Sequence, residues 1–147
     1  MTDKMGVAVL GTGWVSGEHV KAFQQNPHTE VRAILSRERT RAEAKIQAHG
    51  LTGARAYSDL DELLRDERIQ IVSICTPHHL HTPQGVACAS AGRHILVEKP
   101  MALTLEQVHQ LDAAVRRCPT IPSRARSITL SSASSAGGSR TATSPTQ

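Results

Sequence analysis

Residues Val7–Gly17 read V-A-V-L-G-T-G-W-V-S-G, a short apolar run that passes into glycines and from them into a helical pattern. An unbroken aliphatic run of this length suits a strand buried on both faces. Gly11 permits a tight turn at its end. Gly13 leaves no Cβ between the backbone and a pyrophosphate lying on the N-terminus of the next helix. The segment departs from the glycine fingerprint of such turns at its sixth position, which is Ser16, and the next glycine, Gly17, comes one residue late. Its weight comes from its place at the head of a repeated strand and helix pattern.

Strand-like runs at Val7–Leu10, Val31–Leu35, Ala54–Tyr57, Ile69–Cys75 and His94–Val97 alternate with helical patterns. The helices are expected at Val15–Gln25, at Thr40–His49, briefly around Leu63-Leu64, at Thr82–Ala91 and from Thr104 onward. Asn26-Pro27 closes the first, Gly50 is placed as the C′ residue of the second, and Gly92 ends the fourth. Ser58 with Asp61, and Thr104 with Gln107, stand in capping-box relation to the helices they precede. Continuous apolar strands separated by helices imply an α/β fold, a doubly wound parallel sheet of the Rossmann type. A sixth strand is not visible. At 147 residues there is room for one domain, and with 2% aromatic residues its core must be Val, Ile, Leu and Ala.

Past Arg117 the character changes. Cys118–Gln147 is dominated by Ser, Thr, Pro and Gly and holds no acidic or aromatic residue. Such a segment buries too little apolar surface to offset its ordering entropy. The chain thus divides into a dinucleotide-binding domain, residues 1–117, and a tail, 118–147, expected to be disordered. The formal charge of +4 belongs to that tail: three of the 17 basic residues (Arg124, Arg126, Arg140) lie in it, leaving 14 against 13 acidic residues before it. Nucleic-acid binding is therefore not expected. No apolar stretch approaches the ~18 residues of a membrane span, and the start lacks the h-region of a signal peptide. A cytoplasmic protein without membrane contact is expected, its three cysteines being free thiols.

Three further segments fall at the carboxyl ends of expected strands, the edge at which a doubly wound sheet binds its ligand. Ile74–His81, I-C-T-P-H-H-L-H, holds three histidines and a cysteine, but no second ligand pair at zinc spacing accompanies them, and His78 and His79 would point apart on a helix. The reading is a cofactor-facing loop opened by Thr76-Pro77, with no metal. Glu98-Lys99-Pro100 follows the buried run I-L-V. A lysine held there can give a proton or hydrogen bond to a carbonyl beside a nicotinamide; the plainer alternative is a surface ion pair before a turn. Ser36-Arg37 ends the second strand, where a carboxylate would hold a ribose 2′-OH. A hydroxyl and a guanidinium, with Arg39 and Arg41 behind them, suit a 2′-phosphate and favour NADP over NAD. Glu38 within the cluster leaves an ordinary charged helix start as the alternative.

Together V-A-V-L-G-T-G-W-V-S-G-E-H, A-I-L-S-R, I-V-S-I-C-T-P-H-H-L-H and A-G-R-H-I-L-V-E-K-P-M-A-L-T resemble the N-terminal NAD(P)-binding domain of the Gfo/Idh/MocA oxidoreductases, from about Met5 to Val115. The resemblance implies that Gly11, Thr12, Gly13, Trp14 and Val15 face the pyrophosphate and its ribose. It places Ser36 and Arg37 at the adenosine ribose or its phosphate, and Thr76, Pro77, His78 and His81 along the nicotinamide side. Glu98 would position the nicotinamide ribose, and Lys99 would be the catalytic lysine beside the reacting carbon. Members oxidise a secondary hydroxyl of a sugar, polyol or related ring by hydride transfer to the nicotinamide. They continue into a second α/β domain that supplies most substrate contacts and the oligomer interface.

This chain turns instead into a Ser/Arg/Thr/Pro run. The expectation is the cofactor half of an oxidoreductase, binding NADP or NAD, with a small-molecule substrate only if a second domain is supplied and turnover alone absent or crippled. The alternatives are a non-catalytic dinucleotide- or partner-binding module and a non-functional fragment. The run has the composition of a shifted reading frame. The expected outcome is that the +1 or −1 frame of the nucleotide sequence downstream of the Arg117 codon encodes a second α/β domain, and a frame without one overturns the idea.

Overall fold

A computed structural model describes residues 4–118 and the backbone of Thr129–Leu130. Its alternating apolar runs form one parallel sheet. The strands are β1 (Met5–Leu10), β2 (Thr29–Leu35), β3 (Arg55–Tyr57), β4 (Ile71–Ile74), β5 (His94–Val97) and β6 (Thr129–Leu130), in the order β3-β2-β1-β4-β5-β6. The helices are α1 (Trp14–Gln25), α2 (Arg39–Ala48), α3 (Leu60–Leu64), α4 (His78–Ser90) and α5 (Leu105–Arg117). The chain winds outward from β1 to β3, then returns to the other side of β1 to lay down β4. The loops after β1 and β4 therefore part at the point where the winding reverses, which in such sheets opens a crevice.

Alternate residues of β1 serve opposite faces. Val7 and Val9 pack with Val20 of α1, Ala42 of α2, Val31 and Ile34. Ala8 and Leu10 pack with Val72, Ile74, Val97, Leu63 of α3, Cys88 of α4, and Leu111 and Val115 of α5. Both sets on β1 are fully buried, as a sheet covered by helices on each side requires. A register shift between Val7 and Ala8 leaves Arg32 as an extra residue of β2, which is why Val31 and Ile34 share a face despite their odd spacing. The core is aliphatic as composition demands; Tyr57 is the buried aromatic residue.

Two helices close as their glycines predict. After α2 the N–H of Gly50 (φ 59°) donates to Gln47 O and that of Leu51 to Ile46 O. After α4 the N–H of Gly92 (φ 77°) donates to Ala89 O and that of Arg93 to Cys88 O. Each is a Schellman closure, with the left-handed residue a glycine. The N-terminus of α5 also agrees with the sequence: the Thr104 hydroxyl accepts from Gln107 N at 3.2 Å, and the Gln107 side chain accepts from Leu103 N at 2.8 Å.

Two starts differ. Asp59, not Ser58, caps α3, accepting from Glu62 N at 2.8 Å. Helix α4 begins at His78 rather than Thr82 and carries Pro83 inside it. Burial of His81, Thr82, Gly85 and Cys88 on its inner face outweighs the hydrogen bond Pro83 cannot make, and Pro83 itself is exposed. The sixth strand pairs Thr129 and Leu130 with Leu96 and Val97. Apart from Cys118 and that strand, the segment expected to be disordered lies outside the described residues. No helix among the described residues is long and apolar enough to cross a membrane.

Ahead of β4, the Asp66 carboxylate accepts from Arg68 Nε (2.9 Å) and Nη2 (2.6 Å) and from the Tyr57 hydroxyl (2.9 Å). The Arg68 guanidinium holds this carboxyl well below the usual carboxylate range. A carboxyl lowered in the folded state stabilises above its unfolded value and loses that contribution as pH falls. Asp66→Asn is expected to cost about 1–3 kcal/mol at neutral pH. The deficit should shrink below about pH 4, as measured by denaturant titration at pH 7 and pH 3.

Candidate functional site at the carboxyl rim

Register sets the site. Leu10 lies level with Leu35 of β2 and Ile74 of β4, and Ile74 with Val97 of β5. The segments after four strands therefore leave the sheet at one height. Gly11 turns the chain at φ +102°, and a Cβ on it would sit 2.6 Å from the carbonyl oxygen of Cys75. Only glycine lets the first turn lie against the end of β4. The Gly11 N–H donates to Leu35 O at 2.8 Å, and Cys75 N to Leu10 O at 2.9 Å.

Gly13 is the N-cap residue of α1. No side chain caps that helix and its first turn holds no acidic residue. A Cβ on Gly13 would meet nothing within 4 Å. The carbonyls of the turn are tied down instead: Ser16 Oγ donates to Gly13 O at 2.6 Å, and the Lys45 ammonium to Gly13 O at 2.9 Å and Thr12 O at 3.4 Å. Burial pulls the Lys45 amine below its ordinary value. The result is a helix start with open space before it and a cation beneath it. Trp14 (80% exposed) and Val15 flank that space.

At the end of β2, Ser36 is buried and its hydroxyl lies 3.4 Å from that of Thr12. Ser36 thus braces the glycine turn instead of presenting itself outward. Arg37 is exposed and has no ion pair among the described residues. Glu38 and Glu43, the nearby acids, are taken by Arg41 (3.3 Å) and Arg39 (3.5 Å).

After β4 the Thr76 hydroxyl donates to the Gln84 side chain. Pro77 and His78 are exposed, whereas His81 is 1% exposed. The His81 ring lies between Pro100 O and Thr76 O, 2.8 Å from each. It does not line an open face: it is a strut joining the loop after β4 to the loop after β5, because the early start of α4 turns it inward. Both ring nitrogens are engaged, so neither is presented to a metal.

After β5, Glu98 N donates to Ile74 O at 3.0 Å. Its carboxylate Oε1 lies 2.8 Å from His19 Nε2, and Oε2 accepts from Lys99 N at 3.2 Å. The other His19 nitrogen is 2.8 Å from Ser73 Oγ. Lys99 is exposed, directly beside Glu98. Cys75 is partly buried, its thiol pushed up to about 11 chiefly by burial. The rim is an open shelf. Two hollows of about 510 and 450 Å3 lie elsewhere, beside β3 around Arg55 and Tyr57.

The sequence pattern alone did not single out His19, Ser73 or Lys45. The first two had a signal. His19 interrupts the inner stripe of α1 (Ser16, Gly17, Val20), and Ser73 interrupts the aliphatic run of β4. Buried polar residues on facing surfaces need hydrogen-bond partners, and here each is the other's.

Residues 5–121 match the family described as the oxidoreductase family with NAD-binding Rossmann fold, Gfo/Idh/MocA. An uncharacterised oxidoreductase of Synechocystis sp. is 36% identical over 75% of this chain and 29% of its own length. The NADP(+)-dependent scyllo-inositol 2-dehydrogenase IolU of Bacillus subtilis is 28% identical over 74% of this chain and 33% of its own. The crystal structure of GenD2 from gentamicin A biosynthesis, in complex with NAD, superposes with a TM-score of 0.74 at 31% identity, covering 88% of this chain and 34% of that one. The chain spans about a third of the length of these relatives. By fold, rim and sequence it belongs to the Gfo/Idh/MocA oxidoreductases, a family of NAD(P)-binding proteins, and carries their nicotinamide-dinucleotide-binding Rossmann domain.

Proposed function

We propose that this chain holds NADP for the oxidation of a secondary hydroxyl on a sugar, polyol or related ring. One observation carries the reading: Gly11 seats the glycine turn on the end of β4, while the space a Gly13 side chain would fill stays open before the uncapped start of α1. Unpartnered N–H groups at a helix start favour an anion there. The residues fit a dinucleotide. Gly11, Thr12, Gly13, Trp14 and Val15 hold the diphosphate and its ribose, with Ser36 bracing Thr12. Arg37, free of carboxylate partners among the described residues, meets a 2′-phosphate with charge-assisted hydrogen bonds. Thr76, Pro77 and His78 border the nicotinamide side, and His81 fixes that border by tying Thr76 to Pro100.

When bound, the nicotinamide supplies a hydride acceptor or donor. Glu98 orients the ribose next to it, and Lys99 moves a proton to or from the substrate oxygen. The substrate class is supported by the inositol dehydrogenase among the relatives. Because Lys99 is exposed and the shelf has no roof among the described residues, binding without turnover is the second reading. Losing Lys99 would then leave the protein's activity untouched.

Titration of the purified chain with NADPH and NADH tests both cofactor roles. NADPH should bind more tightly, and Arg37→Asp should weaken it by roughly 10- to 100-fold, the worth of one charge-assisted contact, while sparing NADH. Gly13→Asp should abolish both. Wild-type protein that binds neither dinucleotide overturns the reading, and an unchanged NADPH preference in Arg37→Asp removes the role given to Arg37.

A further inference from the structure

We propose that His19 is the positioning residue for Glu98, setting the nicotinamide end of the site in a fixed relation to its diphosphate end. The inference rests on the dinucleotide reading above and adds a residue to it. His19 stands on α1, the helix whose first turn faces the open space at Gly13. Glu98 is the first residue beyond β5, and Ser73 lies in β4 between them in the sheet. The His19 ring touches both, at 2.8 Å on each nitrogen. Ser73 is fully buried, His19 is 9% exposed, and the Glu98 side chain 13%.

The partners dictate the hydrogen positions. An ionised carboxylate only accepts, so Nε2 carries a hydrogen toward Glu98. In the neutral ring, Nδ1 then accepts from the Ser73 hydroxyl. The Glu98 carboxylate thereby selects the tautomer, and the Ser73 hydroxyl, which can donate to Nδ1, fixes the plane of the ring. The Lys99 N–H holds the second carboxylate oxygen. A glutamate at a strand end has three side-chain torsions to lose on binding, and here His19 has already fixed the carboxylate's direction. A carboxylate oxygen can accept from two donors, so a ribose hydroxyl can join the His19 contact without breaking it.

Packing alone does not account for the residue. A leucine would fill the inner face of α1, but it would take one hydrogen-bond partner from the Ser73 hydroxyl and one from the Glu98 carboxylate. What the histidine adds is a hydrogen-bonded link from α1 to the end of β5, across β4. Preorganisation of this kind lowers the ordering that binding requires.

The test uses the 147-residue chain and two ligands, NADPH and adenosine 2′,5′-bisphosphate, which lacks the nicotinamide riboside and the phosphate that carries it. His19→Asn keeps the contact to Ser73 but cannot reach Glu98; His19→Gln places an amide nitrogen near Nε2. His19→Asn should weaken NADPH roughly tenfold and adenosine 2′,5′-bisphosphate less than about twofold, with His19→Gln restoring most of the loss. In a Glu98→Ala background, His19→Asn should cost nothing further, because the two residues act as one unit. Three results overturn the proposal: equal losses for both ligands in His19→Asn, a full NADPH loss from His19→Asn in the Glu98→Ala background, or no rescue by His19→Gln with the fold intact by circular dichroism. Wild-type chain that binds both ligands equally well sinks this proposal alone, whereas wild-type chain that binds neither sinks the dinucleotide reading with it.

Discussion

The absence of one methyl group at Gly11 is the constraint on which the rim depends. A Cβ there would lie 2.6 Å from the Cys75 carbonyl oxygen, at a φ that L side chains rarely adopt. Because the turn fits against β4, the N-terminus of α1 comes to the reversal of the winding and not above one half of the sheet. The other loops reach the same height through strand register: Leu10, Leu35, Ile74 and Val97 are level across the sheet. A parallel sheet makes this economical, since every strand delivers its carboxyl end to the same edge. The side chains that brace the rim then link neighbouring loops in turn. Thr12 meets Ser36, His19 meets Ser73 and Glu98, and His81 joins Thr76 to Pro100.

The electrostatics of the glycine turn depend on which of its groups are already satisfied. Ser16 and Lys45 take the carbonyls of Gly13 and Thr12, so the acceptors of the turn are engaged from within. No cap engages the donors at the start of α1. A glycine N-cap in place of a capping side chain costs a helix a few tenths of a kcal/mol. The fold bears this where an anion can restore it. The partly buried ammonium of Lys45 adds positive potential on the protein side of the turn, and the lowering of its proton affinity by burial marks the cost of keeping it there.

The sequence showed what depends on local pattern and hid what depends on distant contact. Five strands, the glycine closures after α2 and α4, and the Thr104–Gln107 cap are local, and their residues announce them. The pattern places the fourth helix at Thr82–Ala91, yet burial of His81 and Thr82 carries α4 back to His78. That shift decides the role of His81, which a loop would have turned outward and the helix turns in. Ser58 and Asp59 are equally good caps by composition, and backbone conformation chooses between them. The register shift in β2 has no signature in V-R-A-I-L, where every alternation of faces looks alike. The two-residue β6 exists only as a partner of β5 and has no pattern of its own. Arg37 was legible as a cation, but its lack of a partner among the described residues rests on Glu38 and Glu43 being drawn to Arg41 and Arg39.

Holding a dinucleotide and reacting with one make different demands on this rim. The first needs donors, a cleared approach and braced loops, all of which lie within residues 4–118 as described. The second needs a proton donor aimed at one oxygen in a place from which water is excluded. Lys99 is exposed at the edge of the shelf, and an ammonium on four flexible methylenes in water has no single direction. Glu98 differs from its neighbour in this respect, since His19 and the Lys99 N–H hold its carboxylate from two sides. Under the proposed function, the boundary between binding and chemistry would fall between these two adjacent residues. Glu98 is ordered by the sheet and by α1, whereas the Lys99 side chain stands exposed beside it, and the proposed proton transfer would require it to be given a direction.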